Sequence, residues 1–256
     1  MRAPASALAF ALAASLASAQ TRPLRTEQAS TAPAGRLALE LGAESMRAEP
    51  NPLSGGDRER WDVPLLRLVW SPAANVELDL EWVGRVIAKE DPDFGDVSDW
   101  GDVTLRAKAR FVEEQGPRPA LGARFGVTLP ETTFGNGLGP DTLRMRAELL
   151  LTQPLGRLRL DANAGLAIED DPVFPHRQDD LLAYGVALRL PAGSLELLAE
   201  VNGLLDATEK PSAAEARAGI RFGSGRVKGD LAVRIGLGQR DGDWGASAGL
   251  SWTLRD

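Results

Sequence analysis

Residues 102–111 read DVTLRAKARF, and every second residue in this stretch is apolar while the others are polar or charged. A period of two residues is typical of a β-strand whose two faces meet different surroundings. Similar segments recur after residue 34, separated by gaps that are alternately short and long. The rhythm predicts an all-β fold: a closed antiparallel transmembrane β-barrel of about 12 strands (range roughly 10–14), with short turns on one membrane side and longer loops on the other.

The 256-residue chain is 43% hydrophobic and 25% charged, and its only long apolar run lies at the N-terminus. A basic start at Arg2, an apolar stretch over 7–16 and small residues at 17–19 are typical of a secretory signal peptide. We therefore expect a signal peptide over 1–19, cleaved after export, a flexible periplasmic lead-in over 20–33 and the barrel over 34–256. Both ends of the barrel fall on the short-turn side, as in the outer membrane of a Gram-negative bacterium.

A soluble β-sandwich or lipocalin-like barrel is the rival all-β interpretation. Its strands usually have about five or six residues, whereas DVTLRAKARF already has ten. Aromatic residues near both ends of the strands also favour the membrane, because such rings collect at the two headgroup levels. The predicted aromatic girdles consist of Trp61, Trp100, Tyr184 and Trp244 at the loop ends, and Trp70, Phe111, Phe222 and Trp252 at the turn ends.

Charges fall on the parity opposite the apolar residues, so they are predicted to line the lumen, because an arginine facing mid-membrane lipid costs about 2–4 kcal/mol. The candidate lumen residues are Glu77, Asp79, Glu81, Arg106, Lys108, Arg110, Arg124, Arg144, Arg146, Glu148, Arg159, Glu196, Glu200, Arg217 and Arg221. Acids and bases on neighbouring strands should face each other. They form either structural ion-pair ladders or a cation-lined path for anionic or polar solutes set against an acidic wall.

Several kinds of chemistry are excluded or disfavoured by composition. The chain has 29 basic and 36 acidic residues, and removal of residues 1–19 takes away one basic residue, Arg2. The mature chain then has a net charge near −8, which argues against nucleic acid as a partner. There is no cysteine and one histidine, His176, so we expect no catalytic residue, no cofactor and no metal site. The acidic loops are read as solvated surface rather than calcium ligands; they contain Asp91, Asp93, Asp96, Asp99, Glu169, Asp170, Asp171, Asp179 and Asp180.

The last strand carries a candidate insertion signal made of Ser247, Gly249, Trp252 and Leu254. This order of polar, glycine, aromatic and apolar residues resembles the C-terminal β-signal that the barrel-insertion machinery reads, although the chain ends in Arg255-Asp256 rather than in an aromatic residue. The expected partners are that machinery during biogenesis, the outer-membrane lipid with its lipopolysaccharide, and a small solute of unknown identity. Four apolar residues of the long loops, Phe134, Leu138, Val173 and Phe174, could fold into the mouth.

A family resemblance is carried by SDWGDVTL at 98–105, PALG at 119–122 and GVTLP at 126–130. These motifs are similar to those of an outer-membrane barrel family named for meta-pathway phenol degradation, which includes related outer-membrane transporters. The resemblance covers residues 95–170 by motif and the remainder by strand rhythm. It implies a channel for hydrophobic or aromatic compounds and transfers no catalytic residue.

Three classes of function are thus compared. The leading hypothesis is a non-enzymatic outer-membrane channel or transporter for small solutes. A closed structural or surface-interaction barrel without an open pore is the main alternative, because side chains can largely fill a lumen of this size. An outer-membrane lipid hydrolase is a lesser alternative, since it would need a serine beside His176, and no serine lies between His176 and Ser194.

Overall fold

The structure is a computed structural model, which describes residues 22–170, 177–206, 213–238 and 240–255. The predicted signal peptide lies outside these residues, as do Asp171, Val173, Phe174 and His176. In the described part of the chain, no helix has the length and apolar character needed to cross a membrane.

The described ranges contain fourteen strands and one short 3₁₀ helix, Phe134–Asn136. The strands are β1 Leu37–Pro50, β2 Asp57–Ala73, β3 Val76–Val83, β4 Val86–Asp91, β5 Gly95–Asp99, β6 Val103–Val112, β7 Ala120–Leu129, β8 Arg144–Leu155, β9 Leu158–Asp170, β10 Gln178–Ala192, β11 Leu195–Asp206, β12 Ala213–Ser224, β13 Val227–Gly236 and β14 Trp244–Arg255.

These strands close into a single antiparallel barrel. β1 pairs with β14 on one side and with β2 on the other, so the sheet has no free edge where the chain begins and ends. β3 and β4 both pair with β2, one above the other, and β5 runs back along β4 towards the start of β6. Counting β3 with β4 and β5 with β6, the described residues form twelve barrel strands. The predicted all-β barrel is confirmed.

The outer face of the barrel is apolar and the inner face is charged. Leu149, Leu166 and Val233 are 68%, 60% and 58% exposed, whereas the inward-facing Lys108 and Arg217 are each 3% exposed. Burying charges and exposing large apolar side chains is the reverse of a water-soluble protein, and it suits a closed barrel in lipid. The pattern is that of a barrel that spans a membrane.

The ambiguous stretch 60–70 owes its two-sided apolar pattern to a change of face within β2. Arg58 and Arg60 point inward from even positions, but Leu65 and Arg67 point inward from odd ones. The β1–β2 register shifts opposite this point, between Gly42 and Glu44. One extra residue of β2 is inserted there. Even positions therefore face inward before it and odd positions after it, and the strand stays in the barrel wall.

Two segments differ from their sequence-based description. The gap 88–99, predicted as a long loop, contains the end of β4 and all of β5, which pair as a hairpin that belongs to the same sheet. The lead-in 20–33, predicted to be flexible and periplasmic, lies inside the barrel over all of its described residues, 22–33. Of these, Leu24 and Thr26–Ala32 are buried. We call residues 22–33 the inner segment.

Candidate functional site

The inner segment crosses the lumen without joining the sheet. Its first described residue, Arg22, donates to the carbonyl of Ala248 on β14 at 2.9 Å, and near its other end Ala32 N donates to Glu77 of β3 at 2.8 Å. Glu27 and Ala29, in the middle, are both fully buried. An extended chain in such a position must find partners for every backbone N–H and C=O outside the sheet ladder.

Wall side chains take the place of a neighbouring strand for the middle of the segment. Asn163 of β9 accepts from Glu27 N and donates to Glu27 O, both at 2.7 Å. Thr152 of β8 accepts from Ala29 N at 2.9 Å. The paired amide contacts of Asn163 reproduce the donor and acceptor pattern of a β-bridge, so this asparagine fixes the register of the segment against the wall.

The same arrangement continues on β11 and β12, further along the same arc of the wall. The carboxylate of Glu200 on β11 accepts from Arg25 N and Thr26 N, each at 2.8 Å. Arg217 of β12 donates to Pro23 O at 2.6 Å, and Arg221 donates to Arg22 O. Hydrogen bonds to charged groups are the stronger kind, so several of the wall charges are used to bind the backbone of the protein's own N-terminal segment.

The carboxylate of Glu27 is the centre of this arrangement. It accepts from Arg67 of β2 at 3.2 Å, Lys108 of β6 at 3.1 Å and Arg124 of β7 at 3.2 Å. Its own side chain is 1% exposed. A buried carboxylate is tolerated only when it is paired, and three cations from three strands pair this one. The contact therefore ties the segment to a wide arc of the wall.

Arg25 anchors the segment to β1. Its guanidinium lies 2.7 Å from the Glu44 carboxylate of β1, which also contacts Arg217 at 2.9 Å and Arg234 at 3.3 Å. Attraction to Glu44 is the largest influence on Arg25, and together with Glu215 it outweighs the effect of burial, so the pKa of Arg25 is raised above its ordinary value.

Two facing glycines make room for Arg22. Gly42 of β1 and Gly249 of β14 are register partners, and a Cβ on either would overlap the Arg22 guanidinium. Gly249 belongs to the candidate insertion signal, and the structure gives it this second role. In the same motif Ser247 faces the lumen and is buried, whereas Trp252 and Leu254 face outward.

Among the described residues, the predicted lumen residues other than Arg146 are brought together in pairs along the wall. Arg106 contacts Asp79 at 2.9 Å and Glu81 at 3.1 Å, and Arg124 contacts Glu148 at 2.7 Å. Further pairs join Lys108 with Glu77, Arg221 with Glu196, Arg217 with Glu200, and Arg144 with Asp102. Near the short turns, Arg110 pairs with Glu113 and Arg159 with Glu114.

Several residues of this site were not predicted from the sequence. On the wall they are Glu40, Glu44, Arg67, Thr152, Asp161, Asn163, Arg189 and Arg234, and on the segment they are Arg22, Arg25 and Glu27. Apart from Arg67, which lies in the stretch of β2 with an ambiguous parity, the wall residues follow the same parity rule as the predicted ones, so the rule would have found them if applied to every strand. No periodic signal marks the segment.

A long loop folds over the outer mouth. Leu138 is fully buried and packs with Val86 and Ala88 of β4. Arg58 donates to Gly137 O at 2.7 Å, and Arg60 donates to Leu138 O at 3.2 Å. Gly137 has a φ of +70°, and a Cβ there would overlap the Asn51 side chain. The loop 130–143 is therefore fixed to β2 and β4 rather than free in solution.

The acidic loop residues that the structure describes act in part as loop anchors. Asp91 accepts from Asn51 at 2.6 Å and from the backbone of Asp93 and Phe94 at 3.0 Å. Asp99 accepts from the Thr133 hydroxyl at 2.5 Å. Over the described ranges, no three His, Cys, Asp or Glu side chains are grouped so that they could hold a metal ion.

The aromatic residues of the predicted girdles lie on the outer face. Seven of the eight are 37–64% exposed, and Tyr184 is half-buried. Trp100 stacks on Trp82 with ring centroids 5.9 Å apart. Arg47 lies over the Trp244 ring at 5.4 Å and Arg85 over Trp100 at 5.1 Å, both at the loop end. Aromatic rings at this level are typical of a lipid headgroup boundary.

The inner segment separates two cavities. The upper one, of about 260 Å³, has Arg22–Arg25 on its floor and the loop halves of β6–β9 in its wall. The lower one, of about 340 Å³, is lined by Gln28 and by residues of the short turns 191–195 and 222–224. The lumen is thus divided at the level of the segment into an outer and a periplasmic compartment.

No family model and no curated protein matches this chain. Among solved structures, the COG4313 outer membrane channel from Pseudomonas putida F1 is similar with a TM-score of 0.70 and 15% identity, over 88% of this chain and 97% of that one. The translocator domain of autotransporter NalP from Neisseria meningitidis is similar with a TM-score of 0.53 and 12% identity, over 85% and 88%. At these identities the likeness shows the fold: the chain is an outer-membrane β-barrel.

Proposed function

We propose that the protein is an outer-membrane channel for small solutes that its own inner segment holds closed at rest. The observation that carries this proposal is the way the segment is bound. No backbone–backbone hydrogen bond joins its described residues to a strand, so it can leave without breaking the sheet. The fold likeness to a protein named as an outer membrane channel supports the same reading.

The wall can survive the departure of the segment because its cations have acids of their own. When Glu27 leaves, Arg67 keeps Asp79 at 3.0 Å, Arg124 keeps Glu148 at 2.7 Å, and Lys108 keeps Glu77. A buried charge left without a partner is strongly destabilising, and none of these three would be left so. The ladders are thus structural and the segment is the removable part.

Hydrophobic or aromatic compounds are the solute class that we propose. The motifs at 98–105, 119–122 and 126–130 resemble those of the barrel family named for meta-pathway phenol degradation, and we propose membership of that family. Apolar side chains of Leu24, Leu65 and Leu204 line the upper cavity among the charges. A small molecule with an apolar body would find surface there that a purely ionic pore lacks.

A closed structural barrel remains the competing proposal, favoured by the same filled lumen. Planar-bilayer conductance separates the two, using the mature protein and a variant that lacks residues 20–33. A channel predicts small or rare openings for the mature protein and a large steady conductance for the deletion variant. Folded barrels of both kinds, verified by heat-modifiable migration on gels, that stay silent over many insertions would refute the channel.

Lipid hydrolysis and biogenesis are tested separately. We propose that the protein is not an enzyme. Purified protein that releases fatty acid from phospholipid, and loses this activity with His176→Ala, would overturn that proposal.

For the insertion signal, we propose that the insertion machinery reads Trp252 and Leu254. Trp252→Ser should therefore give less folded protein in lipopolysaccharide-containing outer membranes than Trp70→Ser does.

A further inference from the structure

Arg146 of β8 lines the upper cavity, and among the described residues it has no hydrogen bond and no ion pair. The inward cations nearest to it differ in this respect, since Arg124 contacts Glu148 at 2.7 Å and Arg144 contacts Asp102. Glu169 lines the same cavity without reaching Arg146 within ion-pair distance. A half-buried guanidinium with five unused donors is a strong recognition group for an oxyanion.

The wall leaves space beside this guanidinium. The register partners of Arg146 are Gly126 on β7 and Ala167 on β9, two of the smallest residues. Gly126 has no side chain to reach the arginine, and Ala167 is 3% exposed at the edge of an apolar cluster with Leu181 and Ala183. The two positions directly beside Arg146 therefore add almost no side-chain volume of their own, although the Arg106 side chain lies over Gly126.

The charge and polarity of the cavity define the ligand that it fits. Seven arginines and five glutamates line it, a net formal charge of +2. On its apolar side lie Leu24, Leu65, Ala167 and Leu204. Its volume of about 260 Å³ is near the lower end for small-molecule sites, roughly 300–1,000 Å³. A small molecule with one anionic end and one apolar end satisfies both surfaces.

We propose that the upper cavity is a binding site for small organic carboxylates with an apolar or aromatic body, and that Arg146 binds the carboxylate. The apolar body packs against Ala167 and Leu204, and the inner segment forms the floor of the site. The proposal deepens the proposed function by naming its solute class, and it rests on that function only for the idea that the ligand passes onward through the barrel.

Binding is measured on the full-length mature protein in detergent, with benzoate as the probe and benzyl alcohol as its neutral counterpart. We expect saturable benzoate binding by isothermal titration or ligand-observed NMR. Arg146→Gln should weaken it by at least about tenfold, equal to about 1.4 kcal/mol. Arg157→Gln removes the same charge from an exposed turn position and should leave benzoate binding unchanged. Benzyl alcohol should bind more weakly and be insensitive to Arg146→Gln.

A second variant tests the site without altering any charge. Ala167→Phe places a ring in the cavity and should abolish benzoate binding while heat-modifiable migration stays normal. Equal benzoate binding by the wild type and Arg146→Gln, or no binding by the wild type, would overturn the proposal. Conductance is measured separately: a silent barrel that binds benzoate refutes the channel and supports the site, and a conducting barrel that does not bind it refutes the site alone.

Discussion

Replacement of Glu27 by glutamine should release the inner segment while the barrel stays folded. The carboxylate contacts Arg67, Lys108 and Arg124 at 3.1–3.2 Å, and all four side chains are at most 9% exposed. Solvent therefore screens these contacts little. Each hydrogen bond to a charged group contributes about 1.5–3 kcal/mol, and the amide of glutamine keeps weaker ones, so the three contacts together should lose about 3–5 kcal/mol. This loss destabilises the bound state of the inner segment rather than the wall, because each cation keeps its ion pair with a carboxylate of the wall.

The expected effect on the segment follows from that figure. A loss of about 3 kcal/mol raises the ratio of released to seated segment about a hundredfold, and 5 kcal/mol raises it a few thousandfold. Trypsin reports this ratio, because the Arg25–Thr26 bond is shielded while both backbone nitrogens donate to Glu200. When opening is fast relative to cleavage, the cleavage rate follows the open population.

The assay compares cleavage after Arg25 in detergent for the wild type, Glu27→Gln and Glu113→Gln. Glu113 is also paired with an arginine, Arg110, but its side chain is 74% exposed, so the control removes a surface ion pair worth at most about 1 kcal/mol. Faster cleavage in Glu27→Gln alone is expected, with larger bilayer conductance. Cleavage rates equal in all three proteins, with normal heat-modifiable migration, would refute the role given to Glu27.

Three further substitutions test other parts of the structure. Gly42→Val fills the space of the Arg22 guanidinium and should speed tryptic cleavage after Arg25 without lowering the folded fraction. An unchanged cleavage rate would show that Gly42 does not make room for Arg22. Leu149→Arg puts a charge on the lipid face and should lower the free energy of unfolding in lipid vesicles by about 2–4 kcal/mol; an unchanged urea midpoint would place Leu149 elsewhere. Leu138→Ala, at a fully buried site, should cost the loop about 2–5 kcal/mol and raise hydrogen exchange over 130–143 only; equal exchange there would show that Leu138 does not hold the loop.

The barrel could be predicted from the sequence because one physical constraint acts on every strand. A wall between lipid and a polar interior forces alternation, and DVTLRAKARF obeys it without exception. The stretch around Leu65 could not be assigned, because the register shift in β1–β2 changes which parity faces inward. A single inserted residue shows in the sequence only as apolar residues on both parities, and this pattern does not tell which parity faces inward on either side of it.

The inner segment could not be predicted because its burial does not depend on apolar periodicity. Thr26, Gln28, Ser30 and Thr31 are buried, yet polar residues in such a run are typical of an exposed linker. Their partners, such as Asn163, are dispersed over distant strands and meet only once the barrel has closed. The inward glycine pair at 42 and 249 reads from sequence as ordinary small residues, since the group that they accommodate is far away in the chain.

The central claim is that residues 22–33 lie inside the closed barrel. The chain has no cysteine, so an introduced pair reports on it directly. Ala29 N lies 2.9 Å from the Thr152 hydroxyl, and Ala29→Cys with Thr152→Cys should form an intramolecular disulfide under mild oxidation. Ala29→Cys with Ser247→Cys, on β14 across the barrel, should not. Absence of the first disulfide in folded protein, or equal formation of both, would contradict the claim.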